Sequence, residues 1–285
     1  PRVMQLVIFT ALVGMLTSPE PINPILGFAS LLAIAVGAGA SGCLNMWYDA
    51  SIDALMDRTS KRPIPAGAVK PGEALAFGMT LSIGSVLFLG LIANWQSAAF
   101  LAFTIFFYVV IYTMWLKHWT TQNIVIGGAA GAFPPMIGYM AVTGTVSLES
   151  FLYFLLIFVW TPPHFWALAL VKSNEYARAG VPMLPVVAGP NATRLQILLY
   201  SIALIPVGMA PALISHAGLL YLVVATGFGA VLAYYAYDLF RKREGDEARK
   251  AAFRLFGTSI LYLFALFGAR LVEQLLPFLP WSLMK

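Results

Sequence analysis

The sequence predicts an all-α polytopic membrane protein with nine transmembrane helices. Its 285 residues are 60% hydrophobic and only 10% charged, and their mean hydropathy is +0.82. A soluble domain carries about 25% charged residues, so most of this surface must face lipid. In lipid, backbone groups have to bond within their own segment or within a closed barrel, and the long continuous apolar runs indicate helices.

Nine apolar runs approach or reach the roughly 20 residues needed to cross a bilayer. They lie at 3–17, 25–47, 73–93, 97–115, 122–142, 149–171, 194–214, 217–239 and 252–273. The first run is short, and because the sequence starts at Pro1 instead of Met we expect its helix to begin upstream. No polar linker divides the chain, so we expect a single domain over residues 1–285.

The distribution of Lys and Arg predicts the orientation. Nine spans put alternate connections on opposite sides, and fifteen of the seventeen Lys and Arg residues then share one side, leaving Arg270 and Lys285 on the other. The positive-inside rule makes the rich side cytoplasmic. We expect a bacterial inner membrane, with the mitochondrial inner membrane as the alternative. This distribution explains the net charge of +5 without nucleic acid as a partner.

The segment NMWYDASIDALMDRTSKRP, at 45–63, has the pattern of a metal-diphosphate site. Oxygen-bearing side chains recur at every fourth position: Asn45, Asp49, Asp53 and Asp57. On a helix they form one stripe, where like charges repel and no basic residue intervenes. Mg²⁺ prefers such oxygen ligands and is typically held by one or two carboxylates plus substrate phosphates. Asp49 and Asp53 are the strongest candidates, and Asp57 fits the solvated end of the stripe.

Basic residues follow the stripe at once, at Arg58, Lys61 and Arg62, and they suit phosphate oxygens. In YTMWLKHWTTQNIVIGG, at 112–128, Lys117 fits a diphosphate contact and a positive-inside anchor equally well. In WTPPHFWALAL, at 160–170, two adjacent prolines predict a kinked or partly unwound span. His164 follows them, either as a satisfied core histidine or as a ligand or acid–base group.

Glycines mark two of the predicted spans: Gly37, Gly39, Gly42, Gly127, Gly128 and Gly131. Small residues allow close helix packing in membranes. The alternative is that they leave room for a bulky ligand.

These segments together resemble the UbiA superfamily of intramembrane prenyltransferases. The run N-x3-D-x3-D-x3-D-R-T-x2-R-P resembles its first Asp-rich motif. The later runs YTMWLK, WTPPHFWALAL and YARAGVPMLPV are most similar to its haem-farnesylating branch. The likeness covers the first two thirds of the chain and is thin beyond Arg194.

The resemblance implies a nine-helix bundle around a central cavity that is capped by cytoplasmic loops. It implies farnesyl diphosphate and haem B as substrates, haem O and diphosphate as products, and Mg²⁺ as the cofactor. Its environment is the lipid bilayer, and haem A synthase or terminal-oxidase assembly factors are candidate protein partners.

The resemblance also implies roles for individual residues. Asn45, Asp49 and Asp53 would hold Mg²⁺, and the last two with Lys117 would be catalytic. The substrate-binding residues would be Asn45, Arg58, Arg62, Lys172 and His164, with His164 on the haem side. One departure is the superfamily's second D-x3-D motif, whose aspartates correspond here to Lys172 and Tyr176, with only Glu175 nearby. We therefore expect the first cluster to carry most of the metal binding, and Lys172 to meet a phosphate or a haem propionate.

Two alternatives stay open at this point. Another UbiA-type prenyltransferase would use an aromatic quinone precursor or a chlorin as acceptor, although the PPHFW run and the altered second cluster argue against it. A cation-coupled transporter would use the Asp stripe to bind cations. A transporter more often places polar groups near the midplane, on broken helices in paired repeats, and the sequence has no convincing inverted repeat.

Overall fold

The computed structural model describes residues 2–57 and 59–276, without side-chain detail for residues 2 and 3. In this part of the chain the only regular elements are helices. In chain order they are α1 (Arg2–Leu16), α2 (Pro24–Tyr48), α3 (Ala50–Ala54), α4 (Pro71–Ile92), α5 (Trp95–Trp119), α6 (Asn123–Thr143), α7 (Leu148–Val171), α8 (Ser173–Arg178), α9 (Leu184–Val187), α10 (Gly189–Ile214), α11 (Leu219–Arg241) and α12 (Gly245–Leu275). The all-α prediction is confirmed.

Eight of the described helices are long and apolar enough to cross a membrane, and they match eight of the nine predicted runs. The first run corresponds to α1, whose apolar part, Met4–Leu16, is shorter than these. The last helix begins at Gly245, earlier than the predicted 252. Asp246 and Glu247 occupy its first turn, where acidic side chains stabilise the positive end of the helix dipole. A polar turn therefore precedes the apolar part of α12.

Two of the long helices are irregular. α5 is α-helical to Phe106, takes π-helical geometry over Phe107–Leu116, and ends with Lys117–Trp119. Extra residues in π turns rotate the side chains that follow, and such segments are frequent at functional sites. α6 consists of Asn123–Ala132 and Pro134–Thr143, which meet at Phe133.

The prolines of α7 predict a kink or partial unwinding; the unwinding is wrong, and the kink stays a prediction. The helix is continuous from Leu148 to Val171 with Pro162 and Pro163 inside it. Each proline removes one backbone donor, but the neighbouring bonds remain, and the Thr161 hydroxyl adds a bond to the Ile157 carbonyl at 2.8 Å. No water competes for helical bonds in the hydrocarbon region, which favours keeping the remaining ladder intact.

The long helices pack as a closed bundle. α2 packs on α1 and α4, α7 packs on α6, α10 and α12, and α12 returns to α1. Phe9 of α1 and Phe264 of α12 stack there with ring centroids 5.5 Å apart. The chain runs around the bundle, and the connections that follow α2, α5 and α7 lie at one end of it.

Candidate active site

The Asp stripe lies where α2 gives way to α3. The Asp49 amide donates to the Asn45 carbonyl at 2.9 Å, and the Asp53 amide donates to the Asp49 carbonyl at 2.8 Å. These four-residue steps keep the three side chains on one face although α2 ends at Tyr48. Asp49 and Asp53 are 1% and 3% exposed, whereas Asp57 is exposed. Asp49 and Asp53 thus lie inside the protein, Asn45 is half-buried, and Asp57 is the solvated end of the stripe.

Asp49 is held by α5. The Lys117 ammonium contacts its Oδ2, and the Asn45 amide donates to the same oxygen at 2.7 Å. Asn45 also donates to Thr113 Oγ1 at 3.1 Å, and Thr113 lies in the π-helical segment. The other oxygen, Asp49 Oδ1, is buried and has no hydrogen-bond partner among the described residues. A buried carboxylate oxygen without a donor is suited to a cation.

The ends of α2 and α5 also contact each other through two aromatic rings. The rings of Tyr48 and His118 lie 6.2 Å apart, directly beside the Asp49–Lys117 pair. His118 Nε2 is buried without a partner in the described chain. The contact supports the register in which Lys117 reaches Asp49.

Asp53 is held by the connection that follows α3. Arg62 Nη1 lies 2.7 Å from Asp53 Oδ2, and the Thr59 hydroxyl donates to the Asp53 carbonyl at 3.0 Å. No basic partner was expected within the stripe, and the two partners, Lys117 and Arg62, come from outside it. Burying an unpaired carboxylate costs several kcal/mol, which accounts for both pairs. Arg58 lies outside the described residues.

The donor set fits a divalent cation held jointly with a substrate. No group of three or more His, Cys, Asp or Glu side chains suited to a metal occurs in residues 2–57 and 59–276. Two carboxylates and one amide oxygen are too few for an all-protein cage. They match the way Mg²⁺ is held, by one or two carboxylates plus phosphates and waters.

Asn123, the first residue of α6, escaped the sequence reasoning. It is 1% exposed, and neither its amide nitrogen nor its oxygen has a partner within the described residues. One turn later, Gly127 lies against the Tyr112 ring of the π-helical segment, where an added Cβ would come within 2.1 Å. Leaving a buried polar group unsatisfied costs about 1–3 kcal/mol. An unpaired amide at the start of α6, shortly after Lys117 in the chain, therefore fits a polar ligand.

Lys172 makes an ion pair within its own segment. It joins α7 to α8, and its ammonium lies 2.5 Å from Glu175 Oε1. Glu175 is 8% exposed, and its Oε2 has no partner in the described part of the chain. The structure therefore pairs Lys172 with a carboxylate of its own segment.

His164 lies at the contact of α7 with α12. Its ring lies between those of Trp160 and Phe256, with centroids at 4.3 and 4.5 Å. Its Nδ1 is 2.6 Å from Ser259 Oγ. Both partners on α12 lie beyond Arg194, where the resemblance is thin.

An apolar cavity of about 140 Å³ lies among α1, α2, α5 and α6. Ser41 and Gly42 line it one turn before Asn45, and Tyr108 lines it about one turn before Thr113. A Cβ added to Gly42 or Gly131 would meet nothing within 4 Å, so these two glycines leave open space. The cavity therefore begins directly behind the Asp49 cluster.

The other glycines of the two spans allow packing. An added Cβ at Gly37 would come within 3.0 Å of Leu101, and one at Gly128 within 2.8 Å of Thr161. Gly39 has ordinary contact with Met4. The sequence left two alternatives open, close helix packing and space for a ligand. Gly37 and Gly128 fit the first, and Gly42 and Gly131 fit the second.

Residues 6–260 match the family model of the UbiA prenyltransferase family. The chain belongs to the UbiA prenyltransferase family. This family member is 63% identical over 277 residues to the protoheme IX farnesyltransferase of Beijerinckia indica subsp. indica, covering 97% of this chain and 86% of the relative. It is 62% identical over 282 residues to that of Methylocella silvestris, covering 99% and 89%. The resemblance carried by the motifs is confirmed, and the chain is a prenyltransferase.

Solved structures of the UbiA fold agree with this assignment. One from work on digeranylgeranylglyceryl phosphate synthase has a TM-score of 0.78 at 15% identity, covering 96% of this chain and 94% of that chain. A UbiA homologue from Archaeoglobus fulgidus, bound to GPP and Mg²⁺, has a TM-score of 0.71 at 15% identity, covering 95% and 96%. At such identities the likeness concerns the fold.

Proposed function

We propose that this UbiA family member transfers the farnesyl group of farnesyl diphosphate to a vinyl group of haem B, forming haem O and diphosphate. The observation that carries this proposal is the 60–63% identity, along 96–99% of the chain, to proteins named protoheme IX farnesyltransferase. The half-buried Asn45 and the buried Asp49 and Asp53, with Lys117 and Arg62 beside them, supply groups that this reaction requires.

Asn45, Asp49 and Asp53 would hold Mg²⁺, and the unpartnered Asp49 Oδ1 supports this role. Bound there, Mg²⁺ would stabilise the negative charge that develops on the departing diphosphate. The Mg²⁺ in the Archaeoglobus fulgidus homologue supports this proposal through the fold alone.

Lys117 and Arg62 would bind diphosphate oxygens. In the ligand-free chain they neutralise Asp49 and Asp53, so both cations already lie beside the place where the diphosphate would be bound. Arg58 and Asn123 would add donors. Lys172 would meet a phosphate or a haem propionate after leaving Glu175.

The cavity behind Asn45 would take the farnesyl chain. Its lining is mostly apolar, and Gly42 and Gly131 keep it open. Such a lining keeps water away from an allylic cation before the acceptor reacts. The side chains thereby separate a polar end, which binds the diphosphate, from an apolar end, which protects the chain.

The carbon–oxygen bond between farnesyl and diphosphate breaks, and the diphosphate keeps the electron pair. The terminal vinyl carbon of haem B bonds to the farnesyl carbon. Water then adds to the adjacent carbon and loses a proton, giving the hydroxyl-bearing side chain of haem O. No residue has to act as a covalent nucleophile.

The membrane location and the domain organisation are part of the same proposal. We propose a single domain in a bacterial inner membrane, with the Asp stripe on the cytoplasmic side, as the distribution of Lys and Arg supports. Haem A synthase or terminal-oxidase assembly factors are the candidate protein partners. Continuity of the family match over residues 6–260 supports the single domain.

An acceptor comparison tests the proposal. Purified protein in lipid would receive farnesyl diphosphate and Mg²⁺ with haem B, an aromatic quinone precursor or a chlorin, and products would be identified by mass spectrometry. We expect farnesylated product only with haem B. Product with another acceptor alone would support the other type of UbiA prenyltransferase. Mg²⁺ or Na⁺ flux into vesicles without any product would support a transporter.

A further inference from the structure

Ser259 of α12 makes two short side-chain contacts at once. Its Oγ lies 2.7 Å from the Phe256 carbonyl oxygen and 2.6 Å from His164 Nδ1. A carbonyl oxygen only accepts hydrogen bonds, so the single hydroxyl proton of Ser259 goes to Phe256. Ser259 Oγ must then accept from His164, and the proton between them belongs to Nδ1.

This assignment fixes the tautomer of the histidine. A neutral imidazole with its proton on Nδ1 carries a lone pair on Nε2. His164 is only 8% exposed, and its side-chain hydrogen bond within the described residues is made by Nδ1. The ring cannot turn freely, because Trp160 and Phe256 stack on its two faces.

The same serine also joins the two helices. Trp160 Nε1 donates to the Ser259 backbone carbonyl at 2.8 Å. Replacing the serine side chain would leave this bond in place, since it uses the backbone. The side chain of Ser259 can therefore be tested apart from the packing of α7 on α12.

We propose that Ser259 is a positioning residue which holds His164 as the Nδ1-protonated tautomer, so that Nε2 is offered to the iron of the haem substrate. Histidines that ligate metals commonly donate their other ring N–H to a fixed acceptor, which sets the ring orientation and raises the basicity of the ligand. The inference rests on the proposed function for the identity of the substrate. It concerns how haem is held, whereas the Asp stripe concerns how farnesyl diphosphate ionises.

The test uses the full chain in lipid, loaded with haem B and without farnesyl diphosphate. Optical and electron paramagnetic resonance spectra would report the iron ligand. We expect an imidazole-ligand signature in the unmodified protein, its loss in His164→Ala, and its return when free imidazole is added to that variant. Ser259→Ala should weaken the signature and raise the Kd for haem about 10-fold, the lower end for loss of an outer-sphere partner.

Two variants separate positioning from general damage. Ser259→Thr keeps a hydroxyl and should restore the signature. Ser201→Ala is the matched control, because Ser201 is a fully buried serine of α10 whose hydroxyl has no partner in the described residues, and it should leave the spectra unchanged. If Ser259→Ala does not fold, the spectra of Ser259→Thr and His164→Ala still test whether His164 binds the haem iron.

The outcomes distinguish this inference from the proposed function. Spectra of His164→Ala or folded Ser259→Ala identical to those of the unmodified protein would overturn the inference, even if haem O is formed normally. A histidine signature that follows the variants as expected, in a protein that never forms haem O, would support the inference and overturn the proposed function.

Discussion

Buried carboxylates and their cationic partners dominate the site at the scale of single residues. Asp49 and Asp53 are almost fully enclosed, and each is compensated by a basic side chain from another segment. Removing one partner of a buried pair leaves an uncompensated charge, which typically costs 3–5 kcal/mol. The pairs therefore stabilise the ligand-free chain and also keep Lys117 and Arg62 at the site.

Asp53→Asn should lower turnover about 100-fold, the scale expected when one group stabilising transition-state charge is lost. Haem binding should be largely unchanged, because His164 lies at a different helix contact. Turnover and a haem titration measure the two effects. Asp57→Asn is the control, since Asp57 is exposed, and it should keep its rate. A near-normal rate in folded Asp53→Asn would remove that carboxylate from the metal site.

Asn123→Leu should reduce turnover at least about 10-fold while leaving the Tm unchanged or higher. The substitution keeps the size of the side chain but removes two buried polar atoms that lack partners, each of which costs about 1–3 kcal/mol. Thermal unfolding with and without inorganic pyrophosphate and Mg²⁺ should show a ligand-induced shift only in the unmodified chain. A fall in Tm with an unchanged pyrophosphate shift would mean that Asn123 is structural.

At the scale of single residues, the sequence predicted side-chain placement correctly where the spacing along one helix determines it. The four-residue repeat placed Asn45, Asp49 and Asp53 on one face, as the structure does. Thr113 and Ser259 could not be found in this way, since they contact residues 68 and 95 positions away. Those contacts depend on how α5 and α12 pack, which local pattern does not encode.

Helix pairs explain why the glycines have different roles. A Cβ at Gly138 of α6 would come within 2.0 Å of the Ala11 carbonyl of α1, and one at Gly14 of α1 within 2.1 Å of the Pro135 carbonyl. Backbones in contact leave no side chain that could move aside. At Gly131 the space is open, because that position faces the cavity.

Gly138→Ala should lower the Tm clearly, since the added methyl group would force α1 and α6 apart. Overpacking of this kind typically costs about 1–3 kcal/mol. Gly257→Ala is the matched control on α12, where an added Cβ meets nothing within 4 Å, and it should hold or raise the Tm. Equal Tm values for the two variants would contradict the close α1–α6 contact.

Gly131→Leu should fill part of the cavity and raise the KM for farnesyl diphosphate at least about 10-fold, because even one methylene too many in an apolar pocket costs about 1–3 kcal/mol. The shorter geranyl diphosphate should be less affected. Steady-state kinetics with both substrates would test this, with Gly257→Leu as the control. An equal loss for both substrates would mean that the cavity does not hold the far end of the chain.

The predicted helices were confirmed where hydropathy alone identifies them. Eight of the nine runs became long apolar helices. The π-helical part of α5 has no signal in its composition, because it is as apolar as the α-helical part. The predicted partial unwinding of α7 is wrong because the remaining helical bonds hold the helix together around Pro162 and Pro163.

In the whole molecule, one side of the closed bundle carries the Asp stripe and another carries the contact between His164 and Ser259. α6 and α7 lie between them and are the most buried spans, with 61% and 56% of their apolar windows inside the protein. The Asp stripe and cavity lie on the α1, α2 and α5 side, while His164 and Ser259 lie where α7 meets α12. With farnesyl diphosphate beside the Asp stripe and haem B beside His164, the two substrates would meet near α6 and α7.

The most direct test compares the unmodified chain with folded Asp49→Asn, each supplied with haem B, farnesyl diphosphate and Mg²⁺, with haem O quantified by mass spectrometry. We predict Mg²⁺-dependent formation of haem O by the unmodified chain, and a rate at least about 100-fold lower in the variant despite equal haem binding. Absence of haem O from the folded, unmodified chain, or a near-normal rate in Asp49→Asn, would contradict the account.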